Sequence, residues 1–145
     1  MRKVFCCLAI IALMVAPSFA KIQQIGNLTA DVPSGWNATQ KGSVTVISHN
    51  SGKASVSVAV NSLGEASLTD IAERLYTQMG GEDLEQDSDG DYMFTFTDIN
   101  GTTGLVILTD SGEGRYILMS VSGYGENDAL DDEIDGIIDS LDWDD

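Results

Sequence analysis

The sequence predicts an α+β domain: a single antiparallel β-sheet of about six strands covered by two amphipathic helices, layered like an α/β/α sandwich. Three observations lead there. Residues 92–122 hold three strand-like segments joined by two tight turns, the first around Asn100-Gly101. Leu68, Ile71, Ala72, Leu75 and Met79 recur at spacings of three and four, an apolar stripe along one helix face. Leu130, Ile134, Ile137, Ile138 and Leu141 repeat that stripe near the end of the chain. Strands gathered in runs, not alternating one by one with helices, point to antiparallel pairing with helices packed on the sheet.

The first twenty residues stand outside this domain. Arg2 and Lys3 form a short basic region, residues 4–15 are apolar, and Ser18-Phe19-Ala20 offers small residues where a signal peptidase reads them. The apolar stretch is short for a bilayer span. The reading is a signal peptide over 1–20, a single α+β domain over 21–145, and a periplasmic or secreted location. Cys6 and Cys7 leave with the signal, so the mature chain has no thiol. Disulfide staples, thiolate metal sites and cysteine nucleophiles are thereby excluded, and packing must supply the stability.

In order along the chain, residues 22–32 read as a first strand whose apolar members are Ile25, Leu28, Ala30 and Val32, ended by Pro33-Ser34-Gly35. Trp36 follows that turn, where a tryptophan more often plugs the end of a core than serves as a ligand platform. Residues 43–49 are a strand by β-branching and alternation. Asn50-Ser51-Gly52 turns it into residues 54–62, where Val56, Val58 and Val60 face one way. His49, the only histidine, sits beside that turn and opposite Val44 and Val46, and is read as solvent-facing.

Ser67 opens the first helix with a side-chain oxygen for the free amides and Asp70 three residues on; Gly80-Gly81 stops it. Within 82–91, Leu84 marks a short strand. An Asn100-Gly101 two-residue turn predicts Phe96 opposite Leu105 and Phe94 opposite Ile107 on a helix-covered face. Ile117, Met119 and Val121 are expected to join that core, with Tyr116 and Leu118 on the other side. Asn127 or Asp128 caps the last helix, and Gly136 inside it costs about 1 kcal/mol relative to alanine.

Charge bounds the partners. The chain has 7 basic and 23 acidic residues; without Arg2 and Lys3 the count is 5 against 23, a net of −18. Nucleic acid and anionic lipid surfaces would be repelled, and no stable membrane insertion is expected after signal cleavage. A protein partner with a cationic surface, or a divalent ion, is favoured; the oligomeric state is left open.

Motifs for catalysis are missing. A triad would have to use His49, no Gly-x-Ser-x-Gly elbow is present, and no Gly-rich phosphate loop joins a strand to a helix. Carboxylate pairs for glycoside hydrolysis carry no information among 23 candidates. Calcium is the sharper idea. Glu85, Asp87, Asp89 and Asp91 place acidic oxygens at alternate positions around Gly90, as the first half of a helix-flanked calcium loop does. The match breaks at the twelfth position, which is Phe96, and a turn rich in Asp and Gly is also what hairpins use. Asn27-Leu28-Thr29, Asn37-Ala38-Thr39 and Asn100-Gly101-Thr102 match the N-glycosylation pattern, which has meaning only in a eukaryotic secretory route.

With its Val32-Pro33-Ser34-Gly35-Trp36 opening and its closing Ile137-Ile138-Asp139-Ser140-Leu141 helix, the chain resembles the PsbP-like group of exported α/β/α proteins. That group includes the lumenal subunit of photosystem II and small bacterial periplasmic relatives. The resemblance implies a sheet flanked by helices and a binding or assembly role without cofactor or chemistry. This chain is shorter and far more acidic than the photosystem subunit, so that subunit's partner does not transfer. The function expected is that of an exported acidic binding or accessory protein. A calcium-dependent accessory domain using residues 82–91, and a hydrolase of unrecognised type, are the alternatives.

Overall fold

The computed structural model describes residues 21–143; the expected signal peptide lies outside the described residues. Two hairpins open the domain, β1 (Lys21–Ile25) with β2 (Leu28–Val32) and β3 (Trp36–Lys41) with β4 (Val44–His49). Next come β5 (Ser55–Ser62), α1 (Leu68–Met79), β6 (Glu82–Gln86), β7 (Tyr92–Thr97), β8 (Thr103–Gly112) and β9 (Arg115–Ser122). The chain closes with α2 (Asp128–Ser140) and the short β10 (Asp142–Trp143). The α+β class and the two helices stand. The single sheet of about six strands does not: a seven-stranded sheet in the order β3-β4-β5-β9-β8-β7-β6 is accompanied by a three-stranded sheet, β1-β2-β10, and every pairing is antiparallel.

The physical reasons for the difference are local. Residues 22–32 are two strands, because Gly26-Asn27 turns the chain in two residues and pairs Ile25 with Leu28. After α2, Leu141 leaves the helical conformation and Asp142 pairs with Thr29, adding an edge to the small sheet.

The large sheet has a core on each face. On one side α1 lies over β7 and β8, burying Ile71 and Ala72 against Phe94, Val106, Leu108 and Tyr116. On the other, α2 and the small sheet together cover Ile47, Val56, Val58, Ile117, Met119 and Val121. The central strand β9 serves both by alternation, odd residues to the α2 side and Tyr116 and Leu118 to the α1 side.

Phe94 and Phe96 do face a helix, as expected, but their partners are Val106 and Gly104. Leu105 and Ile107 lie on the opposite face, with Ile117, Met119 and Val121. The cause is the turn. Asp98 Oδ1 accepts from the amides of Asn100 (2.8 Å) and Thr102 (2.9 Å), and the Asp98 amide donates to the Thr102 carbonyl at 2.9 Å. The loop therefore has three residues between its last paired ends, with Gly101 at φ 83° as the left-handed member. One residue more than a two-residue turn reverses every side chain across the pair.

Both helices form where their caps place them. Ser67 Oγ accepts from the Asp70 amide at 3.1 Å and the Asp70 carboxylate accepts from the Ser67 amide at 3.1 Å, a full capping box. Asn127 caps α2 through the Leu130 amide at 3.1 Å. Ile134 and Ile137 are fully buried. At about 1.5–3 kcal/mol each they outweigh the roughly 1 kcal/mol helix penalty of Gly136. Docking is fixed by Ser140, whose hydroxyl accepts from the Asp31 amide at 2.8 Å and donates to the Ile137 carbonyl at 2.7 Å.

Candidate functional site

Two clefts flank the α2 side of the large sheet. The first, of about 240 Å³, opens beneath the β1–β2 turn. Cross-strand register builds its floor: Val58 stands opposite Thr45, Val60 opposite Ile117, and Arg115 opposite Ser62. Ile25 and Leu28 close it from the small sheet, and Asn27, Gln40, Ser43 and Ser111 form a polar rim. The turn backbone at Gly26 approaches the Gln40 amide so closely that a Cβ there would lie 3.1 Å from Nε2. Arg115 shares its face with Ile117 by alternation, so its side chain rises at the cleft edge, about half exposed, with Glu113 at 3.4 Å. Thr45 is buried to 6% exposure and lines the same cleft.

The second cleft, of about 440 Å³, lies at the other end, where the β4–β5 turn, the β7–β8 turn and the start of α2 meet. Its walls are more polar: Lys53, Thr102, Ser122, Glu126 and Asn127, with Leu130. Gly123, at φ 87°, lets the chain pass directly under the Lys53 carbonyl, which a Cβ would meet at 2.1 Å.

The four carboxylates considered for calcium are held as a hairpin turn. Asp87 Oδ1 accepts from the amides of Asp89 and Asp91, both at 2.9 Å, and the Asp87 amide donates to the Asp91 carbonyl at 2.9 Å. Glu85 belongs to β6, paired with Met93, so residues 82–86 are strand and not loop. Among the described residues no group of three or more His, Cys, Asp or Glu side chains converges as a metal cage. Burial raises the Asp91 carboxyl from its ordinary value, and the charges of Asp87 and Asp89 add to this, while the Thr109 hydroxyl opposes it.

Acid dominates the α2 side as well. Asp128, Asp132, Asp135, Asp139 and Asp142 are exposed. Asp131 bonds the Gly125 amide at 2.9 Å, and Asp135 accepts from the Tyr124 hydroxyl at 3.1 Å. Burial raises the Tyr124 phenol, and its bond to the Asp135 carboxylate raises it further. Arg115–Glu113 is the only ion pair among the described residues.

Trp36 is a core aromatic, 5% exposed, with its indole N–H donating to Glu133 of α2. His49 departs from the expected solvent-facing position. It shares its face with the buried Thr45 and Ile47, meets Trp36 edge-on at 5.2 Å and 73°, and bonds Ser51 through Nδ1 at 2.7 Å. Both faces of β4 are β-branched, so the sequence offered no parity signal to tell its buried face from the other. The same ambiguity hid Thr45. Arg115 was findable, as the single basic residue after Arg74.

The antiparallel sheet carrying one helix on each face and opened by a separate hairpin is a PsbP-like fold. The solution structure of cyanobacterial PsbP (CyanoP) from Synechocystis sp. PCC 6803 superimposes with a TM-score of 0.62 at 16% identity, covering 88% of this chain and 94% of that one. No protein-family model and no curated protein sequence matches the chain. Among the described residues no helix is long and apolar enough to cross a membrane.

Proposed function

We propose that the chain is an exported, non-catalytic binding or accessory protein whose partner presents a cationic protein surface. The observation that carries this reading is the imbalance of its charges: 23 acidic residues in the sequence, and one ion pair among the described residues. Carboxylates left without internal partners repel one another, and a basic surface docked against them relieves that repulsion while steering encounter over distance. The exposed face of α2 is the best placed, since its apolar side is committed to the core and Asp132 and Asp139 stand two turns apart on the outside. Fold analogy adds support for an accessory role but cannot name a partner. Binding is favoured over hydrolysis by the placement of His49, which packs on Trp36 and lines neither cleft.

The test is retention of proteins from the native envelope fraction on the immobilised mature chain, compared with an Asp132→Asn, Asp139→Asn, Asp142→Asn variant. Basic proteins held at low salt, released by NaCl and lost with the variant are expected. Equal retention by both forms would remove the acidic face from consideration.

A further inference from the structure

We propose that the mature chain pairs with a second copy of itself through the free edge of β3, the two strands running antiparallel about a two-fold axis at Thr39. The large sheets of both copies then form one continuous sheet. This does not depend on the acidic face of α2 and concerns the opposite kind of surface, an edge free of acid.

The hydrogen-bond parity of β3 comes first. The Asn50 amide donates to the Gly35 carbonyl at 2.8 Å, and the His49 amide to the Ala54 carbonyl at 2.9 Å. Continued along the two registers, these bonds make Asn37, Thr39 and Lys41 the residues of β3 that bond inward to β4. Ala38 and Gln40 therefore turn their N–H and C=O groups outward, and β4 is the only strand beside β3 among the described residues. Trp36 has the same parity, but its amide is taken by the Pro33 carbonyl at 3.1 Å. Asn37, Thr39, Gln40 and Lys41 are exposed.

Sheet edges are commonly blunted by charge, proline or a bulge. At the other end of the sheet β6 is blunted: it carries Glu82, Asp83 and Glu85, and its register breaks between Glu82 and Glu85, with Asp83 at φ 56°. By contrast β3 pairs without a break from Trp36 to Lys41, with no proline, no acid, and its one charge at its end.

Charge and register favour a second copy as the occupant. No acidic residue lies between Asp31 and Glu65, so β3, β4 and β5 carry no carboxylate in a chain of net −18. Two such chains can meet there without setting carboxylate against carboxylate. Centred on Thr39, Ala38 of each copy stands opposite Gln40 of the other, and every outward N–H and C=O of the two residues is used. Thr39 meets its own copy as a β-branched pair, and Lys41 falls opposite Asn37, so like charges are not opposed. A centre at Ala38 would call on the occupied Trp36 amide. A centre at Gln40 would call on Gly42, whose φ of 64° is not that of a strand. The two-fold axis stands across the sheet, so both copies present α2 on the same side. One strand pair falls below the roughly 1,200 Å² that stable complexes bury, so the dimer is a weak one.

Sedimentation of the mature chain between about 10 μM and 1 mM should show a monomer–dimer equilibrium. Added NaCl should tighten it, because screening weakens the repulsion of two acidic molecules. Ala38→Pro removes an outward N–H that β4 does not use, so it should abolish the dimer and leave the unfolding midpoint nearly in place. Cys6 and Cys7 leave with the signal, so the mature chain offers a background without thiols. Thr39→Cys should cross-link to itself on mild oxidation, since Cα atoms at such a pair are about 4.5 Å apart. Asn37→Cys should cross-link to Lys41→Cys in a mixture and not to itself, and Glu85→Cys on the β6 edge should not cross-link. A chain monomeric throughout that range, a dimer that loosens in NaCl, an Ala38→Pro variant that dimerises like the parent, or Glu85→Cys cross-linking as fast as Thr39→Cys would each overturn the proposal.

Discussion

In the acidic turn, the ionisation of Asp91 bears on the fold. Asp87 is engaged with two amides, whereas Asp91 is half-buried beside two other carboxylates with only the Thr109 hydroxyl in its favour. Its carboxyl is raised above the value of 3.8 that it has when free. The sign follows from linkage: the folded state holds this proton more tightly, so the contribution is present below the free value and is lost as pH rises through the folded one. At neutral pH the charged side chain therefore opposes folding. Asp91→Asn, which keeps the shape and can still accept from Thr109, should raise the urea midpoint at pH 7, with the difference vanishing near about pH 3, below the ordinary carboxylate range. A variant less stable than the parent at neutral pH would show that the charge is compensated. The residue scale also explains the histidine. Its parity with Ile47 puts it against Trp36, and only the burial of that face reveals it.

Between elements, the same device is used twice. Asp87-Ser88-Asp89-Gly90-Asp91 and Asp98-Ile99-Asn100-Gly101-Thr102 have one geometry: an aspartate bonds the amides two and four residues on, and a glycine takes the left-handed position. The second lacks the alternating acids that suggested calcium in the first, so hairpin geometry alone accounts for Asp87 and Gly90. An aspartate three residues before glycine was the available signal for both turns, and it fixes the β7–β8 register that Asn100-Gly101 alone misplaces. Two glycines near α2 test how far local space controls these elements. Gly136 has open space where a Cβ would stand and an ordinary helical backbone. Gly136→Ala should add about 0.5–1 kcal/mol in chemical denaturation. Gly123 sits at φ 87° under the Lys53 carbonyl, where nothing can shift cheaply, so Gly123→Ala should destabilise strongly. A neutral Gly123→Ala would contradict the close packing of β9's end on the β4–β5 turn.

For the whole molecule the question is what its net charge does to stability. The acids at the C-terminal end of α2, Asp139 and Asp142, face the negative end of the helix dipole with no basic residue in the last turn. Each such charge costs roughly 0.3–1 kcal/mol at low salt, and the buried Ile134 and Ile137 offset it. Screening should therefore raise Tm by several degrees between low salt and added NaCl. CaCl₂ at matched ionic strength should do the same and no more. A rise in CaCl₂ beyond that in NaCl, abolished by Asp89→Asn, would assign calcium to the turn. A Tm indifferent to both salts would remove the repulsion argument.

What the sequence by itself determined is whatever a short window encodes. The helix stripes and caps, the strand alternation, the acidic excess and the short motifs behind the PsbP-like resemblance are of this kind, because propensity, capping and charge act over a few residues. Tertiary structure alone decided the rest. Which face of β4 is buried, and how the first hairpin comes to pair with β10 in a sheet of its own, depend on what packs above each strand. The cleft depends on this most of all. Thr45 and Val60 come from one hairpin and Arg115 from a strand much later in the chain, and only the register of β4, β5 and β9 under the β1–β2 turn brings them to one cleft. Register is set by turn geometry and by burial on both faces of the sheet, and burial is a property of the assembled layers.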